Sequence, residues 1–106
     1  MSQAGITYKT LLMNLIMKKQ LHLYYSGKVQ GIGFRYTVFD IALGLKVCGW
    51  VKNLNDGRAE ILAESEEDTL SVFIKQINQH FSRYIKEVNV QWQPASGEFR
   101  DFQVQF

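Results

Sequence analysis

The feature that most limits the fold is the way the spacing of apolar residues changes along the chain. Residues 21–29 alternate apolar and polar side chains, which is typical of a strand with one buried face. From Phe34, and again from Leu70, apolar residues recur at helical spacing instead. Between these stretches, residues 46–64 form two apolar runs joined by Asn55-Asp56-Gly57, which favours a hairpin turn. The predicted helical faces consist of Phe34, Val38, Ile41, Ala42 and Leu45, and of Leu70, Phe73, Ile74, Ile77 and Phe81.

Two further stretches complete the predicted sheet. Residues 87–93 alternate without interruption, and Phe102, Val104 and Phe106 mark a short last strand after a turn at 94–97. The order strand, helix, strand, strand, helix, strand predicts an α+β domain, a ferredoxin-like α/β sandwich (βαββαβ). Its two helices should pack on one face of a mainly antiparallel sheet, to which the last segment adds a short fifth strand. This fold supports many functions, so the chemistry has to be sought in particular residues.

Residues 1–19 do not share this pattern. The segment 8–19 is apolar, but it is too short to span a bilayer, is interrupted by Asn14 and lacks the cleavage site of a signal peptide. We predict that residues 1–19 form an N-terminal extension outside the core, with translation starting at Met1 or at Met17. A short surface helix is the preferred interpretation, and a dimerising or membrane-contacting helix is the alternative. Residues 20–106 then form the folded domain.

Charge and cysteine content narrow the choice of partners. The formal net charge of +2 is too small to predict nucleic-acid binding, although Lys28, Arg35, Lys46 and Lys52 lie in one stretch. The single cysteine, Cys48, excludes an intrachain disulfide and fits a reducing compartment, and we interpret it as a small core residue. We therefore expect a cytoplasmic protein that binds neither nucleic acid nor membranes; a monomer is the state expected for the function assigned below.

The segment GKVQGIGFR, residues 27–35, stands between the first predicted strand and the first predicted helix. Its glycines let the main chain approach a ligand closely, and the helix start offers unpaired N–H groups. The loop is therefore either a cradle for a phosphate-like anion or a tight turn without a ligand. Arg35 can grip two phosphate oxygens or form a surface salt bridge. Asn53 can hold a water molecule or cap the hairpin turn, and propensity alone favours the cap.

The usual catalytic patterns are absent from the sequence. It contains no Ser/His/Asp or Cys/His arrangement, no HExxH segment and no acidic metal-binding loop, and the glycine-rich loop is not followed by the Gly-Lys-Ser/Thr of a Walker motif. The remaining residues suit phosphoryl transfer, which depends mainly on positioning and charge stabilisation. A carboxylate leaving group, whose conjugate acid has a pKa of roughly 4, needs neither a general acid nor a metal. The sequence thus favours a mixed-anhydride phosphate as substrate, with no cofactor and no metal.

Two segments resemble the signature motifs of the acylphosphatase family. They are SGKVQGIGFRY at 26–36 and GWVKNLNDGRAEI at 49–61, and the similarity runs from about residue 20 to the closing FQVQF. The resemblance implies the ferredoxin-like sandwich predicted above. It also implies hydrolysis of a small acyl phosphate to a carboxylate and inorganic phosphate, without metal or cofactor.

The resemblance further implies roles for individual residues. Arg35 would bind the phosphate and stabilise charge, and Asn53 would hold the attacking water through its side-chain amide. Departures from the family pattern leave both residues intact; one of them, Ser65, replaces a glycine and is expected to cap the second helix. The main chain of the following loop residues would bind the phosphate: Gly27, Lys28, Val29, Gln30, Gly31, Ile32, Gly33 and Phe34.

Two other functions are compatible with the sequence. The first is a non-catalytic ferredoxin-like module that binds a phosphorylated ligand or nucleic acid, with aromatic side chains stacking on bases. A core or cross-strand role is the simpler interpretation of those side chains. The second is a related role on carbamoyl phosphate, as in larger proteins that carry such a domain. The aromatic residues concerned are Tyr24, Tyr25, Trp50 and Trp92.

Overall fold

The fold is a five-stranded sheet with two helices, seen in a computed structural model that describes residues 7–9 and 17–106. Most of the predicted N-terminal extension lies outside the described residues. The strands and helices are β1 (Lys18–Gly27), α1 (Phe34–Leu45), β2 (Cys48–Asn53), β3 (Ala59–Glu66), α2 (Glu67–His80), β4 (Ile85–Pro94) and β5 (Phe102–Gln105).

The sheet has the strand order β4-β1-β3-β2-β5. β1 pairs antiparallel with both β3 and β4, and β2 pairs antiparallel with β3. The short last strand, β5, runs parallel to β2. The mainly antiparallel sheet and the short fifth strand predicted from the sequence are therefore confirmed, and the fold is the ferredoxin-like sandwich.

The core lies between the helices and one face of the sheet. Alternating positions of neighbouring strands face each other in register: Leu21 opposite Ala63, Leu23 opposite Ile61 and Tyr25 opposite Ala59. All of these are fully buried. The helices cover them with the side chains that helical spacing predicted, because each helix has a single apolar stripe. The buried helical residues are Phe34, Val38, Ala42, Leu70, Phe73 and Ile77.

Gly27 fixes the point where the chain leaves β1 and enters the glycine-rich loop. Its φ is 122°, and the β1–β4 pairing has a bulge between Ser26 and Gly27. A Cβ at this position would lie 2.2 Å from the Tyr84 carbonyl oxygen and 2.6 Å from the Lys86 nitrogen. Only glycine fits so close to another backbone with this φ. The loop therefore begins tightly packed against the start of β4.

Two residues, Ser65 and Cys48, do not lie where the sequence predicted, and Phe106 follows β5 instead of ending it. Ser65 does not cap α2: it pairs with Lys19 as part of β3, and the N-cap residue is Glu66, which makes no side-chain capping hydrogen bond. Strand pairing thus continues through Ser65 and Glu66, and the helix begins only at Glu67. Cys48 is half-buried rather than part of the core, because it alternates with the buried residues Gly49 and Val51 and lies on the opposite face of β2.

The ends of the first strand differ from those that the sequence predicted. β1 begins at Lys18, three residues before the predicted Leu21, and it ends at Gly27 rather than Val29. Within residues 7–9 and 17–106, no helix combines the length and apolar character needed to cross a bilayer.

Candidate functional site

A small hollow lies where the glycine-rich loop, the start of α1 and the end of β2 meet. It has a volume of about 100 Å³. At roughly 30 Å³ per water molecule, it holds about three waters, or one group of similar size such as a phosphoryl group. The lining residues are Val29, Gly31, Gly33, Phe34, Arg35, Tyr36 and Asn53.

The loop offers unpaired main-chain donors to this hollow. Gly31 and Gly33 have φ values of 79° and 81°, and an added Cβ at either would meet no atom within 4 Å. These backbone angles, rather than crowding, are what require glycine there. Among the described residues, the N–H groups of Val29 to Gly33 donate to no protein acceptor. The first turn of α1 adds further free N–H groups and the positive end of the helix dipole, since Gly33 provides no side-chain cap.

Two contacts hold the loop in place. The Lys28 N–H donates to the Tyr84 carbonyl oxygen at 2.9 Å. The side-chain amide of Gln30 donates to the carbonyl oxygens of Leu54 and Arg58, at 2.7 and 2.9 Å. Gln30 thereby fastens the loop to the β2–β3 turn, next to Asn53. The side chain of Gln30, not only its main chain, helps to shape the hollow.

Arg35 is the second residue of α1, and its guanidinium is held by the end of the chain. Its Nη1 donates to the Gln105 carbonyl oxygen at 3.2 Å, and its Cζ lies 4.5 Å from the centre of the Phe106 ring. No carboxylate pairs with Arg35 among the described residues. The surface salt bridge that the sequence left open for Arg35 is therefore not formed with any described residue. Four of the five guanidinium N–H groups remain for an anion.

Asn53 is the last residue of β2, and its side chain reaches the same hollow. Its Oδ1 is buried and accepts no hydrogen bond from the described part of the protein. Buried polar atoms are nearly always satisfied in native proteins, and leaving one unpaired costs about 1–3 kcal/mol. The hairpin cap that propensity favoured does not explain this atom. An O–H donor from water would satisfy it.

The structure divides the predicted phosphate-loop residues into two groups. Val29, Gly31, Gly33 and Phe34 line the hollow beside Arg35 and Asn53, whereas Gly27, Lys28, Gln30 and Ile32 support or flank it. Sequence reasoning missed Tyr36, Gln105 and Phe106. Tyr36 follows Arg35 in the helix and was detectable as an aromatic residue outside the apolar stripe. The C-terminal residues carried no such signal, because their contact with Arg35 spans 70 positions of sequence.

A larger and more open groove, of about 650 Å³, runs along α2. Lys75 is the one charged residue among the described residues that line it. Within the described ranges, no group of three or more His, Cys, Asp or Glu residues lies close enough to hold a metal ion. The groove is lined by Ser71, Ile74, Lys75, Asn78, Gln79 and Ser82.

The aromatic residues suggested for base stacking do not form one platform. Tyr25 is fully buried, and its hydroxyl donates to the Asn78 Oδ1 at 2.8 Å. Burial raises the pKa of this phenol well above its ordinary value, so Tyr25 is a neutral core residue. Trp92 lies opposite Leu21 and therefore on the helix side of the sheet. Tyr24 and Trp50 alternate with core residues and lie on the other side.

Comparison with known proteins agrees with the fold. The acylphosphatase family model matches residues 21–104. An acylphosphatase from Caldanaerobacter subterraneus subsp. tengcongensis is 37% identical over 90 residues, which are 83% of this chain and 99% of that relative. One from Methanospirillum hungatei is 45% identical over 81 residues, 74% of this chain and 89% of the relative.

A solved structure gives the same result. The crystal structure of acylphosphatase from Bacillus subtilis superposes with a TM-score of 0.77 at 36% identity, and the match covers 83% of this chain and 99% of that one. Sequence and structure thus agree over the whole region from β1 to β5, and this chain belongs to the acylphosphatase family.

Proposed function

We propose that this protein hydrolyses acyl phosphates to a carboxylate and inorganic phosphate. The observation that carries the proposal is that one phosphate-sized hollow is lined by an arginine and an asparagine with free hydrogen-bonding capacity. Among the described residues, the arginine has no carboxylate partner, and the buried Oδ1 of the asparagine accepts no hydrogen bond. Free main-chain donors of the loop complete this lining. Membership of the family supports the same reaction.

In this proposal the phosphoryl group binds to the loop main chain and to Arg35. Gly27 to Phe34 form the loop, and the guanidinium, with one N–H already directed to Gln105, offers its others to phosphoryl oxygens. Negative charge on these oxygens is redistributed as the bond to the acyl oxygen breaks. Donors that are fixed in advance stabilise this charge without having to reorient, which makes them effective in the transition state.

Asn53 would orient the attacking water. Its Oδ1 accepts one O–H bond, which turns a lone pair of the water oxygen toward phosphorus. A P–O bond to water forms, the P–O bond to the acyl group breaks, and that electron pair leaves on the carboxylate. The water proton passes to the phosphate or to solvent. Since the leaving carboxylate has a conjugate-acid pKa of roughly 4, this sequence requires no general acid, metal or cofactor.

Hydrolysis of acetyl phosphate in the presence of a chelator tests this proposal. We expect turnover by the unmodified protein and severe losses in Arg35→Ala and Asn53→Ala. Arg100→Ala and Asn89→Ala are matched controls, because they remove the same residue types at exposed positions away from the hollow. Equal turnover in all five proteins would overturn the site assignment, and no turnover by the unmodified protein would overturn the function.

The same assay with carbamoyl phosphate tests the related activity considered from the sequence. The nucleic-acid alternative has no specific observation in its favour. We also propose that the protein acts as a cytoplasmic monomer; its single thiol, Cys48, fits a reducing compartment. Light scattering coupled to size exclusion should give a mass near 12.3 kDa, and a mass twice as large would contradict the monomer.

A further inference from the structure

Two exposed aromatic side chains stand beside Arg35 at the mouth of the hollow. Tyr36 lines the hollow and is 58% exposed, and Phe106 is 88% exposed. The Phe106 ring lies against the Arg35 guanidinium, 4.5 Å from Cζ, and 6.4 Å from the centre of the Tyr36 ring. The two rings and the arginine therefore lie next to one another, and Arg35 and Tyr36 both line the hollow.

Packing of the core does not account for these rings. On α1 the buried residues are Phe34, Val38 and Ala42, and Tyr36 points away from that stripe. Phe106 follows the last residue of β5 and lies outside the sheet. Isolated exposed apolar residues are ordinary on protein surfaces, but apolar side chains gathered around a polar binding site often mark a place where a ligand is bound.

The size of the hollow determines which part of an acyl phosphate can reach these rings. About 100 Å³ accommodates a phosphoryl group but leaves little room for a bulky acyl group as well. The donors and Arg35 direct the phosphoryl group inward, so the acyl group must extend through the mouth. There it meets Tyr36 and Phe106, since these two rings border Arg35.

We propose that Tyr36 and Phe106 form an apolar platform for the acyl group, so that the enzyme prefers acyl phosphates with an aromatic or large apolar acyl group. This inference rests on the proposed function and adds the substrate class. An aromatic acyl group that packs on the rings gains contacts that an acetyl group is too small to make. One aromatic pair is worth about three- to tenfold in binding.

The test compares kcat/KM for benzoyl phosphate and for acetyl phosphate in the same set of proteins. We expect the benzoyl-to-acetyl ratio to fall about three- to tenfold in Tyr36→Ala and in Phe106→Ala. Tyr36→Phe keeps the ring and should keep the ratio. Leu43→Ala is the matched control, because Leu43 is an apolar residue of the same helix, 55% exposed, that does not line the hollow.

The benzoyl-to-acetyl ratio of kcat/KM shows whether Tyr36 and Phe106 contact the acyl group or only support the structure of the site. Phe106→Ala also removes the contact with Arg35, and that loss should slow both substrates alike, leaving the ratio to report the acyl group. An unchanged benzoyl-to-acetyl ratio in both alanine variants would overturn the platform while the proposed function stands. Failure of the unmodified protein to hydrolyse either substrate would overturn both.

Discussion

At one end of the β2–β3 hairpin a buried acid is surrounded by donors, whereas at the other end a buried amide oxygen accepts no hydrogen bond from the described residues. Glu64 is only 6% exposed and accepts hydrogen bonds from the Ser96 N–H and hydroxyl, both at 2.7 Å, and from the Gly97 N–H at 3.0 Å. Gln20 donates to the same carboxylate at 2.6 Å. Glu64 pairs with Cys48 at the start of β2, and Asn53 is five residues further along the same strand. At about 3.3 Å per residue, Asn53 lies roughly 17 Å from the position of Glu64.

The difference separates groups that stabilise the fold from groups that are kept for a ligand. At Glu64 each donor comes from another strand or from the loop before β5, so satisfying the carboxylate also fixes that loop. At Asn53 and Arg35 the protein leaves hydrogen-bonding capacity unused within the described residues. Such capacity lowers stability, so it is expected where binding or catalysis uses it. If this is correct, mutations at Arg35 and Asn53 should mainly lower activity, whereas a mutation at Glu64 should mainly lower the free energy of unfolding.

The largest effect should come from Arg35→Ala. We expect kcat/KM for acetyl phosphate to fall by about 10³-fold or more, because the guanidinium acts on charge that changes during the reaction. Stability should fall by no more than about 2 kcal/mol, since Arg35 makes one hydrogen bond to a main-chain carbonyl and one contact with an exposed ring. Steady-state kinetics and urea unfolding measure the two quantities. A stability loss of several kcal/mol would mean that Arg35 holds the fold, as Glu64 does.

Asn53→Ala should have the next largest effect and is the sharper test of the comparison. We expect activity to fall by about 10²- to 10³-fold, because the attacking water loses its acceptor. The free energy of unfolding should change by less than about 1 kcal/mol, because the Asn53 Oδ1 accepts no hydrogen bond from the described residues that the variant could break. A clear loss of stability would show that Asn53 has a structural partner and would break the contrast with Glu64.

Glu64→Gln should show the opposite behaviour. The amide has the same shape, but it loses the charge, and its NH2 group cannot accept the hydrogen bonds that one of the two carboxylate oxygens accepts. We expect a loss of about 1–3 kcal/mol in the free energy of unfolding at neutral pH. Turnover of acetyl phosphate by the folded variant should equal that of the unmodified protein. A large loss of turnover in the fully folded Glu64→Gln protein would mean that changes at Glu64 are transmitted to the hollow at the other end of the hairpin.

Most of the fold could be predicted from the sequence because single-sided burial leaves a periodic pattern. The stripe Phe34, Val38 and Ala42 and the alternation along β1 needed no tertiary information. Ser65 could not be assigned in this way, since its local signal for a helix cap is overridden by pairing with Lys19, a distant residue. Cys48 was placed in the core by its type, although the alternation of β2 places it on the other face.

The candidate site was less accessible to residue-by-residue reasoning. The loop glycines and Arg35 gave a physical signal, namely free donors and a fixed charge at a helix start. Asn53 gave none, because a turn-capping asparagine and a water-holding one look alike in sequence, and only the family resemblance favoured the second. The contacts of Arg35 with Gln105 and Phe106 depend on β5 running beside β2, which no local pattern reveals.

The pH dependence of stability is the smallest effect that distinguishes the two ends. Burial by itself raises the pKa of Glu64, but the hydrogen bonds from Ser96, Gly97 and Gln20 outweigh it, and the pKa is lowered from 4.5. The unfolded chain therefore takes up this proton first, so the stabilisation is complete above pH 4.5 and is lost as the pH falls through the folded pKa. Urea unfolding between pH 7 and pH 3 should show the difference between the unmodified protein and Glu64→Gln shrinking below about pH 4.5. Taking the difference between the free energies of unfolding of the two proteins cancels the contribution of the other carboxylates, which both proteins share. Asp56 is one of these, because hydrogen bonds from the backbone N–H and the side chain of Arg58 lower its pKa. A difference that stays constant over this range would mean that the charge of Glu64 does not contribute to stability, and the donors around it would then be only incidental neighbours.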